Sequence, residues 1–199
     1  MKSYSTFIQE MALNIGDLGS FLEDKKNRQD AYDTVKNSPV NSHVSDGISV
    51  HKVETKGKTE YHTLDHNKKE MLHSSTFRPV EASKEIPFNH ERQSGVDRTG
   101  ERGALPRHYI LDFLHNHITH SGIPLRTDDH QSTSGHKLWR NLVDKSLSKG
   151  HNVYYWDGEK LNKTTHKNKG QHLNDYFGYD PDEHTKRYMI VSKDPIKQV

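Results

Sequence analysis

Apolar residues recur at helical spacing twice in the second half of the chain. Ile110, Leu111, Phe113, Leu114 and Ile118 supply one face of a predicted helix, which Pro106 suits at its first turn and Ser121-Gly122 stops. Leu138, Trp139, Leu142, Val143 and Leu147 form the core face of a second, with Thr133 or Ser134 as N-cap and Gly150 at its end. Shorter runs of strand character surround them. Ile123–Arg126 reads as a short strand, and Val153–Trp156 as an aromatic, β-branched one closed by Asp157-Gly158. In Arg187–Ser192, Tyr188 and Ile190 alternate with Met189 and Val191.

The first half is less regular. Ile48–Thr55 and Glu60–Leu64 flank Lys56-Gly57-Lys58 and predict a hairpin, and Ser74–Glu81 predicts a further strand. Ala82–Gly103 is charged and irregular and reads as a long loop. Residues 25–47 are polar, with turn formers at Asn37-Ser38-Pro39 and Asp46-Gly47, and read as a linker. Ahead of them, Phe7, Met11, Ile15, Leu18 and Leu22 make a helical stripe, which Gly16 and Gly19 weaken by about 1 kcal/mol each relative to Ala. Such a helix either packs on its own domain or docks on a partner.

Composition narrows the picture. Only 30% of the 199 residues are apolar and 28% are charged, with a mean hydropathy of -1.05, so a small core with substantial loop sequence is expected. The 29 basic and 27 acidic residues leave a net charge of +2, too little field to argue for nucleic-acid binding. Sixteen histidines add positive charge as pH approaches their ordinary pKa of about 6.5. The absence of cysteine excludes disulfides, thiolate catalysis and Cys-ligated zinc, and fits a reducing cytoplasm. No apolar run approaches the ~18 residues that span a membrane, and no secretory h-region opens the chain, so a soluble protein is expected.

Hairpin strands followed by helix, strand, helix, strand, strand bury helices against a mixed sheet. The expected class is therefore α/β (α+β), a mixed sheet flanked by helices with an N-terminal helical or flexible arm. This order resembles the GNAT acyltransferase fold, whose signature is helix–strand–helix–strand–strand after an N-terminal meander. A local likeness lies in Arg126-Thr-Asp-Asp-His-Gln-Ser-Thr-Ser-Gly-His-Lys-Leu-Trp139. It is similar to a segment of GNAT-like phage proteins in which a strand ends in Ser/Thr-Asp, Gln-Ser/Thr follows, and a Gly starts a helix carrying Leu-Trp. The resemblance spans roughly residues 48 to 193.

It implies where chemistry would sit. A GNAT holds the pyrophosphate of acetyl-CoA on backbone N–H groups at a helix start, in a Gln/Arg-x-x-Gly-x-Gly/Ala loop. Arg98-Thr-Gly100-Glu-Arg102-Gly103-Ala104-Leu-Pro106 has the right place and residue types, which makes Arg102, Gly103 and Ala104 the candidate cofactor-binding residues. Its spacing differs: the glycines are three apart, no Arg or Gln stands three before Gly103, and Pro106 removes an amide donor. The alternative is a flexible loop capped by glycine.

Asp128-Asp129-His130-Gln131-Ser132 follows a strand, where ligand clefts concentrate in α/β folds. Asp129 and His130 could act as an acid–base pair there, and Tyr155 as a general acid in the GNAT manner. Alternatively Asp128 and Ser132 only cap the turn into the next helix, and Tyr154, Tyr155 and Trp156 are core. His117 and His120 sit three apart as a zinc pair would, but no third ligand is evident, so an exposed polar helix face is expected and no metal is assigned. ADP-ribosyl transfer needs an Arg strand, a Ser-Thr-Ser strand and a Glu-x-Glu. Ser132-Thr133-Ser134 is present, but Arg126 lies on the same segment and no Glu-x-Glu exists.

The first ten residues carry a different resemblance. Lys2, Tyr4, Phe7, Ile8 and Glu10 fall on matching positions of the capsid-targeting leader of internal head proteins of T-even-type tailed phages. That leader ends in a Glu after which the prohead protease cuts, with Leu or Ile two residues before it. Ile8-Gln9-Glu10 satisfies this, and no other Glu in the chain does; Met11 stands where the family usually has a small residue. The resemblance implies a leader at 1–10 cleaved after Glu10, a helical segment and linker at 11–47, and a GNAT-like domain at 48–199. It also implies packaging in the virion interior with the prohead scaffold or protease as partner. Injection into the host cytoplasm and action on a host protein early in infection would follow. An acyl-CoA-dependent N-acyltransferase, an ADP-ribosyltransferase and a passive head component are the alternatives.

Overall fold

The computed structural model describes residues 22, 24–83, 86–99, 103–127, 133–178 and 187–196. Nine strands and four helices are found among them, a mixed α/β composition of the α+β kind expected. They divide into two compact units, one drawn from Met1–Arg78 and Ser94–Arg107, the other from Pro79–Gln93 and His108–Val199. The stripe positions Phe7, Met11, Ile15 and Leu18 lie outside the described residues, while Leu22 is buried.

The first unit holds helix α1 (Lys25–Val35) and strands β1 (Val40–Ser45), β2 (Ile48–Thr55), β3 (Lys58–Asp65) and most of β4 (Glu70–Val80), with the later part of β5 (His90–Arg98). The strands follow one another in order, and β1–β2, β2–β3 and β3–β4 are antiparallel. The predicted hairpin is β2–β3, in register from Ile48↔Asp65 to Thr55↔Lys58. Residues 25–47, expected as a linker, instead form α1 and β1. Asp24 caps α1 by accepting from the Asn27 N–H at 3.1 Å. Ala31, Tyr32 and Val35 pack with Leu22, Leu64 and Met71. The fourth buried position on the helix is Arg28, whose Nε donates to Glu70 Oε2 at 2.8 Å, so the stripe does not read as apolar.

The second unit holds the start of β5, then α2 (Tyr109–Ser121), β6 (Leu125–Arg126), α3 (Thr133–Ser148), β7 (Asn152–Trp156), β8 (Leu161–Thr164), α4 (Lys169–Phe177) and β9 (Tyr188–Ser192). Its strand order is β5-β6-β9-β7-β8. β5 and β6 are parallel and joined through α2, as parallel neighbours require a crossover. The other pairs are antiparallel. The two long helices stand where the apolar spacing put them.

β5 corrects the expected loop at 82–103, and β8 and α4 were not foreseen. The polar side chains of β5 find partners on the helices. Glu91 Oε2 accepts from His117 Nε2 at 2.6 Å, and Gln93 Oε1 accepts from Trp139 Nε1–H at 3.0 Å. Pairing puts Glu91, Leu125, Val191, Val153 and Tyr155 on one face, which α2, α3 and α4 cover. The opposite face carries Arg126, Ile190, Tyr154, Tyr188 and Trp156, packed with Ile86 and Phe88. His115, on the same helix as His117 and His120, is buried and stacks on His151 with ring centroids 4.6 Å apart.

Candidate functional site

The carboxyl end of β6 carries a cation where a buried two-residue strand should be apolar. Arg126 is 6% exposed. Its Nε donates to His90 Nε2 at 3.0 Å and its Nη1 to the Thr127 carbonyl at 3.1 Å. The guanidinium carbon lies 3.9 Å from the centroid of the Tyr188 ring, a cation–π contact. These contacts fix the His90 tautomer. The Phe88 carbonyl can only accept, so His90 Nδ1–H donates to it at 3.0 Å and Nε2 keeps its lone pair for Arg126. Burial is the main cause that holds the His90 pKa below its ordinary value. The charges of Arg126 and Arg92 add to it, and the Phe88 carbonyl pulls the other way. His90 is thus a neutral prop beneath a fixed guanidinium, whose planar donors suit carboxylate or phosphate oxygens.

Arg126 leads directly into the predicted turn, but Asp129 and His130 lie outside the described residues, as does Arg102. Gly103 and Ala104 form a turn after β5 in the first unit, with Gly103 exposed and Ala104 half-buried. Tyr155 is 5% exposed and sits on the face opposite Arg126, so these two side chains do not share one site. Its ring lies 5.2 Å from that of His172, whose Nδ1 is 2.8 Å from Thr164 Oγ1. Burial pushes the Tyr155 phenol up, Asp175 and Asp157 add to that, and Arg187 opposes it. The hydroxyl therefore stays protonated at neutral pH, shut beneath α4.

The histidines of α2 serve structure. His117 bonds Glu91, and His120 Nδ1 bonds the Asn116 carbonyl at 2.7 Å. Among the described residues no three His, Asp or Glu side chains come together as a metal would need, and no helix is long and apolar enough to cross a membrane.

Sequence reasoning missed a second polar centre, in the first unit. Tyr32 Oη lies 3.2 Å from His66 Nδ1, and Ser49 Oγ lies 2.7 Å from His66 Nε2 and 2.9 Å from His51 Nε2. His51 Nδ1 lies 2.8 Å from the Ser38 carbonyl. A serine beside an oriented imidazole has the outline of a nucleophile and base. Ser49, however, is 1% exposed and sits at the start of β2, paired with His43 on one side and Leu64 on the other. That placement leaves no room for an acyl group. The only hint in the sequence is Ser49-x-His51 on one strand face; His66 and Tyr32 join it through folding alone.

Comparison with known proteins returns no matching family model, curated relative or solved structure.

Proposed function

We propose that the chain is an internal head protein of a T-even-type tailed phage, packaged through residues 1–10 and carried into the host. There it binds a host or defence component through a GNAT-like domain at 48–199, whose cofactor loop departs from the family's spacing, and does not act as an acyltransferase. Lys2, Tyr4, Phe7, Ile8 and Glu10 support the address. An antiparallel run of strands followed by α2, β6, α3, β7 and the later strands supports the GNAT-like reading, because that is the family's order. The observation that carries the binding role over catalysis is Tyr155: the one described member of the expected catalytic set is only 5% exposed and lies on the sheet face opposite Arg126.

Mass spectrometry of purified virions tests the address, with a chain beginning at Met11 as the expected result. Absence of the chain from virions would sink it. Calorimetry of residues 11–199 with acetyl-CoA tests the role; no heat at millimolar ligand is expected, and tight binding would favour the N-acyltransferase reading instead.

A further inference from the structure

The four side chains around Ser49 are hydrogen-bonded in one direction. The Ser38 carbonyl can only accept, so His51 Nδ1 carries a hydrogen and, in the neutral ring, Nε2 is an acceptor. Ser49 O–H must then donate to His51 Nε2, which leaves Ser49 Oγ to accept from His66 Nε2–H. His66 Nδ1 in turn accepts from Tyr32 O–H. Every donor has an acceptor with all four groups neutral. The chain runs from half-buried His66 to His51, which is 1% exposed.

With a single proton added the direction can reverse, and only the Tyr32 O–H gives up its acceptor within the network. We propose that His66, Ser49 and His51 form a one-proton relay, with Tyr32 as its outer gate and His51 as its store. Hydronium gives its proton to His66 Nδ1 and leaves as water, while the Tyr32 hydroxyl hydrogen rotates off Nδ1 so that its oxygen accepts the new Nδ1–H. The His66 Nε2–H bond then breaks as a new Ser49 O–H bond forms, while the original Ser49 O–H breaks and its proton bonds to His51 Nε2. His66 ends neutral with its hydrogen on Nδ1, and His51 ends as a cation donating to Ser49 Oγ and the Ser38 carbonyl. No heavy atom moves, since each step uses a contact of 2.7 to 3.2 Å already present. The Ser38 carbonyl cannot pass the proton on, so the chain stores charge and does not conduct it.

Facing His51 are His62 across the strand pair and His66 from the β3–β4 turn, and Tyr32 of α1 meets His66 in turn. His43 of β1 stands across from Ser49, Lys36 at the end of α1 lies 6.0 Å from the Tyr32 ring centroid, and Arg28 and Glu70 neutralise each other. Lys58 acts on His62, and Asp65 is occupied by the Asn67 and Lys68 amides. No carboxylate among the described residues hydrogen-bonds either relay ring to hold a resident cation.

Nitrogen NMR of histidine-labelled full-length protein tests this through tautomers, which a merely structural network would not couple. At neutral pH His51 should carry its hydrogen on Nδ1 and His66 on Nε2. On acidification His66 should switch to Nδ1–H in the same pH step in which His51 becomes doubly protonated. Ser49→Ala should uncouple the two, leaving His51 neutral through that step, and Tyr32→Phe should shift the step while keeping the coupling. Opposite tautomers at neutral pH, independent titration of the two rings, or coupling that survives Ser49→Ala would overturn the relay. If Ser49→Ala fails to fold, the tautomers and the Tyr32→Phe titration of the folded protein still decide.

Discussion

Among the described residues the buried side chains of the second unit are mostly apolar, Leu114, Ile118, Leu125, Trp139, Leu142, Val143, Val153, Met189, Ile190 and Val191 among them, while in the first Leu64, Met71, Leu72 and Phe77 share the interior with Ser49, His51, Glu60, His62, Thr63, Glu70, His73 and Ser75. One unit closes mainly on apolar area removed from water; the other adds to a smaller apolar core a larger share of hydrogen bonds and an ion pair between groups that water had already satisfied. Apolar burial contributes about 25 cal/mol per Å², whereas a satisfied hydrogen bond contributes only about 1 kcal/mol net and leaves a costly orphan when broken. The first unit should therefore tolerate changes of volume better than changes of proton count, and the second the reverse. A chain only 30% apolar then folds with its larger apolar core in one unit and a larger share of buried polar groups in the other.

Removing bulk from the second unit should produce the largest effect. Trp139 is fully buried and its Nε1–H is donated to Gln93. Trp139→Ala leaves a cavity and an unpaired Gln93 amide oxygen, so a loss of about 3–5 kcal/mol is expected, toward the upper end. Hydrogen exchange under rising urea is the measurement: amides of β7 and β9 should lose protection early while those of β2 and β3 hold. Equal loss in both sets would break the contrast.

Acid should do the opposite. His62 and His73 are held to a pKa of about 3, chiefly by burial, with Lys58 and His51 adding to the first and His62 and Arg98 to the second. Their folded pKa is depressed, so at low pH the unfolded chain binds protons that the folded unit refuses. Stability is complete above the unfolded value of about 6.5 and is lost as pH falls from there toward 3. Each histidine should cost about 2 kcal/mol by pH 5, about 4 kcal/mol for the pair. The same exchange experiment, run from pH 7.5 to pH 5 with intrinsic rates corrected, should now show β2 and β3 failing first. A first unit as stable at pH 5 as at pH 7.5 would refute that account of its core.

The same contrast governs what could be read from the residues alone. α2 and α3 were legible because Ile110–Ile118 and Leu138–Leu147 repeat apolar side chains at helical spacing, and burial followed that spacing at Leu114, Ile118, Leu142 and Val143. α1 was not, because only Ala31, Tyr32 and Val35 mark its buried face and the remaining position is an arginine neutralised by Glu70, 42 residues away. β5 failed for a similar reason: His90, Glu91 and Gln93 look solvated until Arg126, His117 and Trp139 arrive to pair them. Of the candidate chemistry, Tyr155 was assigned to core packing as one of two readings, and that placement holds. The buried Arg126–His90 pair and the relay at Ser49 each join residues from separate elements. No local pattern announces them, since a polar residue reads as exposed until its partner's position is known.

The smallest effect separates backbone from packing within the first unit itself. Gly47 and Gly57 sit in the β1–β2 and β2–β3 hairpin turns with φ of +71 and +83, a conformation a side chain resists. A Cβ on Gly57 would meet nothing within 4 Å, whereas one on Gly47 would come within 2.2 Å of Asn67 Nδ2. Gly57→Ala should thus cost about 1 kcal/mol for the backbone alone, and Gly47→Ala about 1–2 kcal/mol because Asn67 must also turn aside. Urea denaturation of the two variants and of Gly47→Ala combined with Asn67→Ala measures the difference. If the polar first unit is forgiving of volume, Asn67→Ala should return Gly47→Ala to the cost seen at Gly57. A penalty that persists without the Asn67 side chain would mean that this unit, too, is held by close packing at its turn.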